Sequence, residues 1–128
     1  MSTGLILFAH GARDPRWAAP FETVLQRLRT QRPSVPLRLA FLELMPPTLL
    51  EAGAELVALG CTHVAVLPLF LGSGGHVRKD LPLLLDGLRT AHPDLVVALH
   101  PAIGEQDAVI AAIVDVAARA LDTLDGSA

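Results

Sequence analysis

Residues 56–77 read LVALGCTHVAVLPLFLGSGGHV, twenty-two positions without an Asp, Glu, Lys or Arg. A stretch that long could span a bilayer as a helix. Gly60, Thr62, His63 and Pro68 interrupt it, however, and Gly72, Ser73, Gly74, Gly75 and His76 close it. What stays free of polar residues is Val64 to Leu71, which is strand length. A continuous apolar run, rather than an alternating one, marks a strand covered on both faces. The segment therefore predicts a buried strand over residues 63–69 that runs into a glycine-rich loop.

Three further runs of the same kind lie at residues 4–9, 37–42 and 95–99, and helical stripes separate them. Phe21, Val24, Leu25 and Leu28 follow i, i+3, i+4, i+7 spacing. Leu49, Gly53, Leu56 and Leu59 make a weaker stripe, opened by a Thr48…Glu51 capping-box pattern and stopped by Gly60. Leu81, Leu84, Leu85 and Leu88 form a third, and Val109, Ile110, Ile113, Val114 and Ala117 a fourth. The order βαβαβαβα predicts an α/β domain, a four-stranded parallel sheet with helices on both faces. Right-handed crossovers leave few topologies, and a flavodoxin-like order 2-1-3-4 places strands 1 and 3 at the centre. One domain over residues 1–124 is expected, with 125–128 a flexible tail.

A chain of 128 residues buries roughly two-thirds of its unfolded surface and needs no metal or disulfide to fold. With 52% hydrophobic and 18% charged residues it is not an intrinsically disordered chain. The high apolar content points to surface covered by a partner. Ten Lys+Arg against thirteen Asp+Glu, with Lys79 the one lysine, leave no basic stripe for phosphates, so nucleic acid is excluded as a partner. Cys61 stands alone and suits a reducing cytoplasm. Only Leu5 to Ala9 precede His10 as an apolar run, with no basic residue before them. Neither a signal peptide nor a membrane anchor is expected.

Open α/β sheets bind ligands at the carboxyl ends of their strands, where strand order reverses. The first strand delivers His10-Gly11 there, the second Glu43, the third the loop 72–75 and His76, and the fourth His100-Pro101. Three histidines and a carboxylate at one rim are a candidate metal or acid–base constellation. Gly11 lets the chain turn sharply after His10. The plainer alternatives are a strand-end histidine bonded to a loop carbonyl, a histidine at a helix entry and a solvated glutamate. His63 belongs at the opposite rim, His92 at a helix C-terminus, and Cys61 reads as a small buried residue. The loop lacks the Lys-Ser/Thr of a Walker loop, and no G-x-G-x-x-G follows the first strand. A histidine phosphatase also carries His-Gly after its first strand but puts arginine before it, where this chain has Ala9.

The stretches LFAHGARDP (7–15), AFLEL (40–44), VLPLFL (66–71) continuing through GGHV (74–77) to DLP (80–82), and PAIG (101–104) together resemble the small single-domain sirohydrochlorin chelatases of cobalamin and sirohaem biosynthesis. They span nearly the whole chain. The resemblance implies insertion of Co²⁺ or Fe²⁺, with Ni²⁺ a further candidate, into sirohydrochlorin. The metal is a substrate, and no organic cofactor is implied. It also implies that His10 and His76 bind metal and accept protons, that Glu43 is a third site residue, and that Leu71, Gly72, Ser73, Gly74 and Gly75 line the tetrapyrrole. Arg13 and the pair Arg78-Lys79, with Arg16 as a lesser candidate, are placed for the substrate's carboxylates. The short members look like half of a two-lobed chelatase, which implies a homodimer. A non-catalytic metal or tetrapyrrole carrier and a histidine-dependent phosphoryl enzyme are the alternative functions.

Overall fold

The four apolar runs form four parallel strands: β1 (Thr3–Ala9), β2 (Leu37–Phe41), β3 (His63–Pro68) and β4 (Val96–Leu99). They lie in the order β2-β1-β3-β4, the flavodoxin-like order expected from the sequence. In this computed structural model residues 2–72 and 74–126 are described, apart from the side chain of His76. The intervening stripes form α1 (Ala19–Gln31), α2 (Leu49–Ala58), α3 (Gly75–Ala91) and α4 (Asp107–Leu124). Short 3₁₀ turns stand at Pro15–Ala18 and Ile103–Glu105. Parallel register sets Ala9 beside Phe41, Phe8 beside Pro68, and Val66 beside Leu99. Three strands therefore end at nearly the same level.

Two cores sandwich the sheet. On one face Ile6, Phe8, Val64, Val66 and Val97 pack under Leu49 and Leu56 of α2 and Leu81, Leu85 and Leu88 of α3. Gly53, which weakened the sequence stripe of α2, is where Leu88 settles; a Cβ there would collide with the Leu88 side chain. On the other face Leu7, Leu37, Leu39 and Phe41 meet Leu25 of α1. Trp17 lies half-buried at the edge of this second core, its ring centroid 4.9 Å from Phe21 and 6.4 Å from Phe41.

The capping box anticipated at α2 is present. Thr48 Oγ1 accepts from the Glu51 amide at 3.1 Å, and Glu51 Oε1 accepts from the Thr48 amide at 3.0 Å. Those bonds hold the Glu51 carboxyl below its usual range, the Thr48 backbone N–H contributing most. Thr48→Ala is expected to cost about 1 kcal/mol, read as a lower urea midpoint at unchanged m-value. An unmoved midpoint would mean that α2 is held by packing alone.

Two expectations need correction. The fourth strand was read as covered on both faces, yet Val96 is 52% and Leu99 44% exposed, with Val97 buried. The reason is the second departure: no residue of α4 is buried. Its stripe residues Ile110, Ile113 and Val114 are 46%, 50% and 63% exposed. The helix stands off the sheet, although helices were expected on both of its faces. Of the anticipated tail, Asp125 caps α4 and Gly126 follows with φ +72°; residues 127 and 128 lie outside the described ones. Among the described residues, no helix is long and apolar enough to cross a membrane.

Candidate functional site

β1 ends at Ala9, and the chain turns through Gly11 at φ +93°, a backbone region open to glycine. Pairing between β1 and β2 continues past the strand ends: the Leu42 amide donates to the Ala9 carbonyl at 2.9 Å, and the Glu43 amide to the His10 carbonyl at 3.1 Å. A Cβ on Gly11 would collide with the Glu43 carbonyl. The loop after β2 is thus laid against His10 with no room between them. Leu44 follows at φ +69°.

On the other side of β1, the Leu69 amide donates to the Phe8 carbonyl at 2.8 Å, extending the β1–β3 pairing to the rim. Phe70 then folds inward and is buried. Its ring lies 4.7 Å from the His10 imidazole at 53°, and 6.0 Å from Phe8 in an edge-on contact. His10 itself is exposed. Its ring therefore rests on an apolar wall and remains accessible, with its carbonyl tied to Glu43. Aromatic pairs of this kind are worth roughly 0.5–1.5 kcal/mol, enough to favour one orientation of an exposed side chain.

Leu71 is 70% exposed, and Gly72, Gly74 and Gly75 are exposed beyond it. Ser73 lies outside the described residues. Gly74 is the N-cap of α3, whose first turn carries no acidic side chain. The helix thereby presents its positive dipole end at the rim. His76 is the second residue of α3, and its side chain is outside the description. Behind the loop the Gly104 amide donates to the Phe70 carbonyl at 3.0 Å. A Cβ on Gly104 would collide with the Leu71 backbone. The turn Ile103–Glu105 thus wedges the glycine loop from behind.

Arg13, Arg78 and Lys79 are exposed. Arg16 is otherwise engaged: its guanidinium reaches both oxygens of Asp14, Nη2 at 2.9 Å and Nε at 3.2 Å. That pair holds the Asp14 carboxyl below its usual range, and Asp14 also caps the turn at Pro15–Ala18. Exposed Glu43 borders a cleft of about 420 Å³ with Leu42 and with Asp80, Leu83 and Leu84 of α3. Among the described residues, no three His, Cys, Asp or Glu side chains gather closely enough to hold a metal.

His100 is exposed where β4 ends, its amide donating to the Val66 carbonyl at 2.9 Å. His63 opens β3 at the opposite rim, with Nδ1 3.0 Å from Thr62 Oγ1. His92 caps α3, and Cys61 is buried. The rim thus joins His10, Glu43 and the loop from Leu71 through the ends of β1, β2 and β3, while His63, His92 and Cys61 stand apart. Two residues of the rim carried no role in the sequence reading. Phe70 lies inside the quoted run 66–71, but nothing in a single strand announces the ring it will meet. Gly104 sits in the PAIG stretch, where a glycine flanked by apolar residues is the only signal.

The family model CbiX matches residues 4–120. The chain is 33% identical over 82 residues to a sirohydrochlorin cobaltochelatase of Methanosarcina acetivorans, a match covering 64% of this chain and 63% of that relative. A crystal structure of a cobalamin-biosynthesis CbiX protein from Marinobacter aquaeolei superposes with TM-score 0.82 at 31% identity, covering 94% of this chain and 98% of that one. SirB from Bacillus subtilis, solved with Fe³⁺, gives TM-score 0.76 at 27% identity; the match takes in 90% of this chain but 46% of SirB. With a family model matched over nearly its whole length and a fold shared with solved members, the chain belongs to the CbiX family.

Proposed function

We propose that this chain inserts a divalent metal, Co²⁺ or Fe²⁺ with Ni²⁺ as a third candidate, into a sirohydrochlorin-type tetrapyrrole. The observation that carries the reading is the rim itself: in a CbiX-family chain, accessible His10 is backed by Phe70 at 4.7 Å and tied through its carbonyl to Glu43 at 3.1 Å. The name of the Methanosarcina relative supports the reaction class, and the Fe³⁺ in SirB supports a metal of this kind. No organic cofactor enters the reaction. The lone Cys61 fits the reducing cytoplasm, where we place it.

Insertion must strip water from the metal and take two protons from pyrrole nitrogens. A neutral imidazole is a borderline ligand for Co²⁺, Fe²⁺ and Ni²⁺ and also a proton acceptor. His10 and His76 present the metal to one face of the macrocycle, and an imidazole or Glu43 takes the protons as the pyrrole nitrogens close on the metal. Weak coordination serves this task, since a closed ligand set would retain the ion. Exposed Leu71 and the open space around Gly72, Gly74 and Gly75 leave room for the ring. Arg13, Arg78 and the N-terminus of α3 attract its carboxylates. The full-length match to the Marinobacter protein, beside a match to under half of SirB, supports action as a homodimer.

Anaerobic absorbance of sirohydrochlorin with limiting Co²⁺, then Fe²⁺ and Ni²⁺, tests the reading. A rate above the spontaneous one is expected. A shifted tetrapyrrole spectrum without turnover would instead indicate a carrier, and hydrolysis of phosphate esters without either signal a phosphoryl enzyme. In the same assay Arg13→Ala and Arg78→Ala should each raise KM about threefold with kcat nearly unchanged, the mark of uniform substrate binding through exposed charges. An unchanged KM in both would remove them from the site.

A further inference from the structure

The sheet has two outer edges, the far sides of β2 and β4. An edge strand carries a row of amides and carbonyls with which another extended segment can pair, unless something blunts it. Which groups point outward follows from the bonds that point in. The Leu5 amide donates to the Pro36 carbonyl and the Leu42 amide to the Ala9 carbonyl, so Leu37, Leu39 and Phe41 face out from β2. The Val96 amide donates to the Thr62 carbonyl and the His100 amide to that of Val66, so Val97 and Leu99 face out from β4.

Each edge has an arginine on an outward carbonyl. At β2, Arg38 Nη1 donates to the Leu37 carbonyl at 2.9 Å, while its Nε is held by Glu55 Oε2 at 2.7 Å. At β4, Arg89 reaches across from α3. Its Nη2 donates to the Val97 carbonyl at 3.1 Å, and its Nη1 lies 3.6 Å from Asp86. One carboxylate of α2 and one of α3 thus hold two guanidinium groups at opposite margins of the sheet. Exposed ion pairs add little to stability, so stability alone does not account for the arrangement.

The two margins differ in need. Pro36 precedes β2, and the chain beyond it folds back so that the Pro47 carbonyl accepts from the Phe41 amide at 2.9 Å. Leu39 alone lies between that closure and Arg38, too short a stretch for a strand to pair with. At the other margin Leu95-Val96-Val97-Ala98-Leu99 runs without charge, proline or glycine. Val96 and Leu99 there are 52% and 44% exposed. An edge segment of that composition is what cross-β assemblies are built from.

We propose that Arg38 and Arg89 guard the two edges, each guanidinium, pinned by its carboxylate, keeping strands of other copies from adding to the sheet. Arg89 carries the greater share. A strand adding at β4 would have to displace its guanidinium from the Val97 carbonyl and bury charge beside the new pairing. The proposal is independent of the chemistry at the rim and of how many copies the folded assembly contains.

The test follows the purified chain by thioflavin T emission and light scattering, whose joint growth marks strand addition rather than a finite assembly of folded chains. Lags are compared at urea concentrations that leave the same folded fraction. Arg89→Ala should shorten the lag about fivefold and Arg38→Ala about twofold, or bring assembly within the observed time if the parent stays clear. Two controls separate the edge from plainer causes. Arg27→Ala removes the same charge from an exposed position of α1. Because the chain already carries −3, each arginine loss moves net charge further from zero, which by itself opposes association. Thr48→Ala weakens the start of α2 and leaves both edge arginines in place. Both controls should keep the parent's lag. A parental lag in Arg89→Ala and Arg38→Ala alike would overturn the proposal. So would equal shortening in Arg27→Ala, an effect of charge alone, or in Thr48→Ala, an effect of loosened structure. A larger effect at Arg38 than at Arg89 would overturn the ranking of the two edges.

Discussion

His10→Ala is expected to slow insertion of Co²⁺ into sirohydrochlorin by about 100-fold or more, the scale of losing a positioned proton acceptor, with a metal ligand lost as well. The fall should appear in kcat, with KM for the tetrapyrrole changed far less, because the ring and its carboxylates are held by other groups. Folding should be nearly untouched. His10 is exposed, and its ring rests on Phe70 at the surface, so the variant removes chemistry rather than core. A denaturation midpoint within about 1 kcal/mol of the parent, together with the lost rate, is the expected pair of results. A full rate would move the metal-handling role elsewhere on the rim, with His76 and His100 the next residues to replace.

Gly11→Ala should act in the opposite way, through the fold. The position combines φ +93° with a Cβ that would collide with the Glu43 carbonyl. Two strains coincide: the left-handed backbone disfavours any side chain, and the loop after β2 must retreat. A loss of about 3 kcal/mol or more is expected, read from the urea midpoint. Gly60 provides the control. It has the same φ of +93° but nothing within 4 Å of an added Cβ, so Gly60→Ala should cost only about 1 kcal/mol. The difference between the two variants measures how tightly His10 and the Glu43 loop are pressed together. Equal losses would show that the loop yields freely and that its contact with His10 positions nothing.

The strands and their order were legible because a buried parallel sheet writes itself as unbroken apolar runs, and crossover handedness prunes the rest. The rim followed, since strand ends are where such sheets bind. What escaped was tertiary. The stripe on α4 has the same period whether it packs on its own sheet or on another copy's, so periodicity could not reveal that the helix stands away. The run 95–99 looked like a strand covered twice for the same reason: Val96 and Ala98 are as apolar as Val97, and only the packing separates exposed from buried. Phe70 was hidden differently. Its partner His10 is sixty residues away in sequence, and they meet only because β1 and β3 are neighbours.

Trp17, the one tryptophan of the chain, offers an optical consequence of this arrangement. It sits between Phe21 and Phe41, just after the turn that leaves His10. All tryptophan emission therefore arises from one place, a few residues below the rim. A tetrapyrrole seated there would accept excitation energy from the indole and quench it. A closed-shell ion such as Zn²⁺, which has neither that absorption nor unpaired d electrons, would leave the emission largely unchanged unless the turn moved. A single fluorescence titration could thus separate ring binding from metal binding without any label.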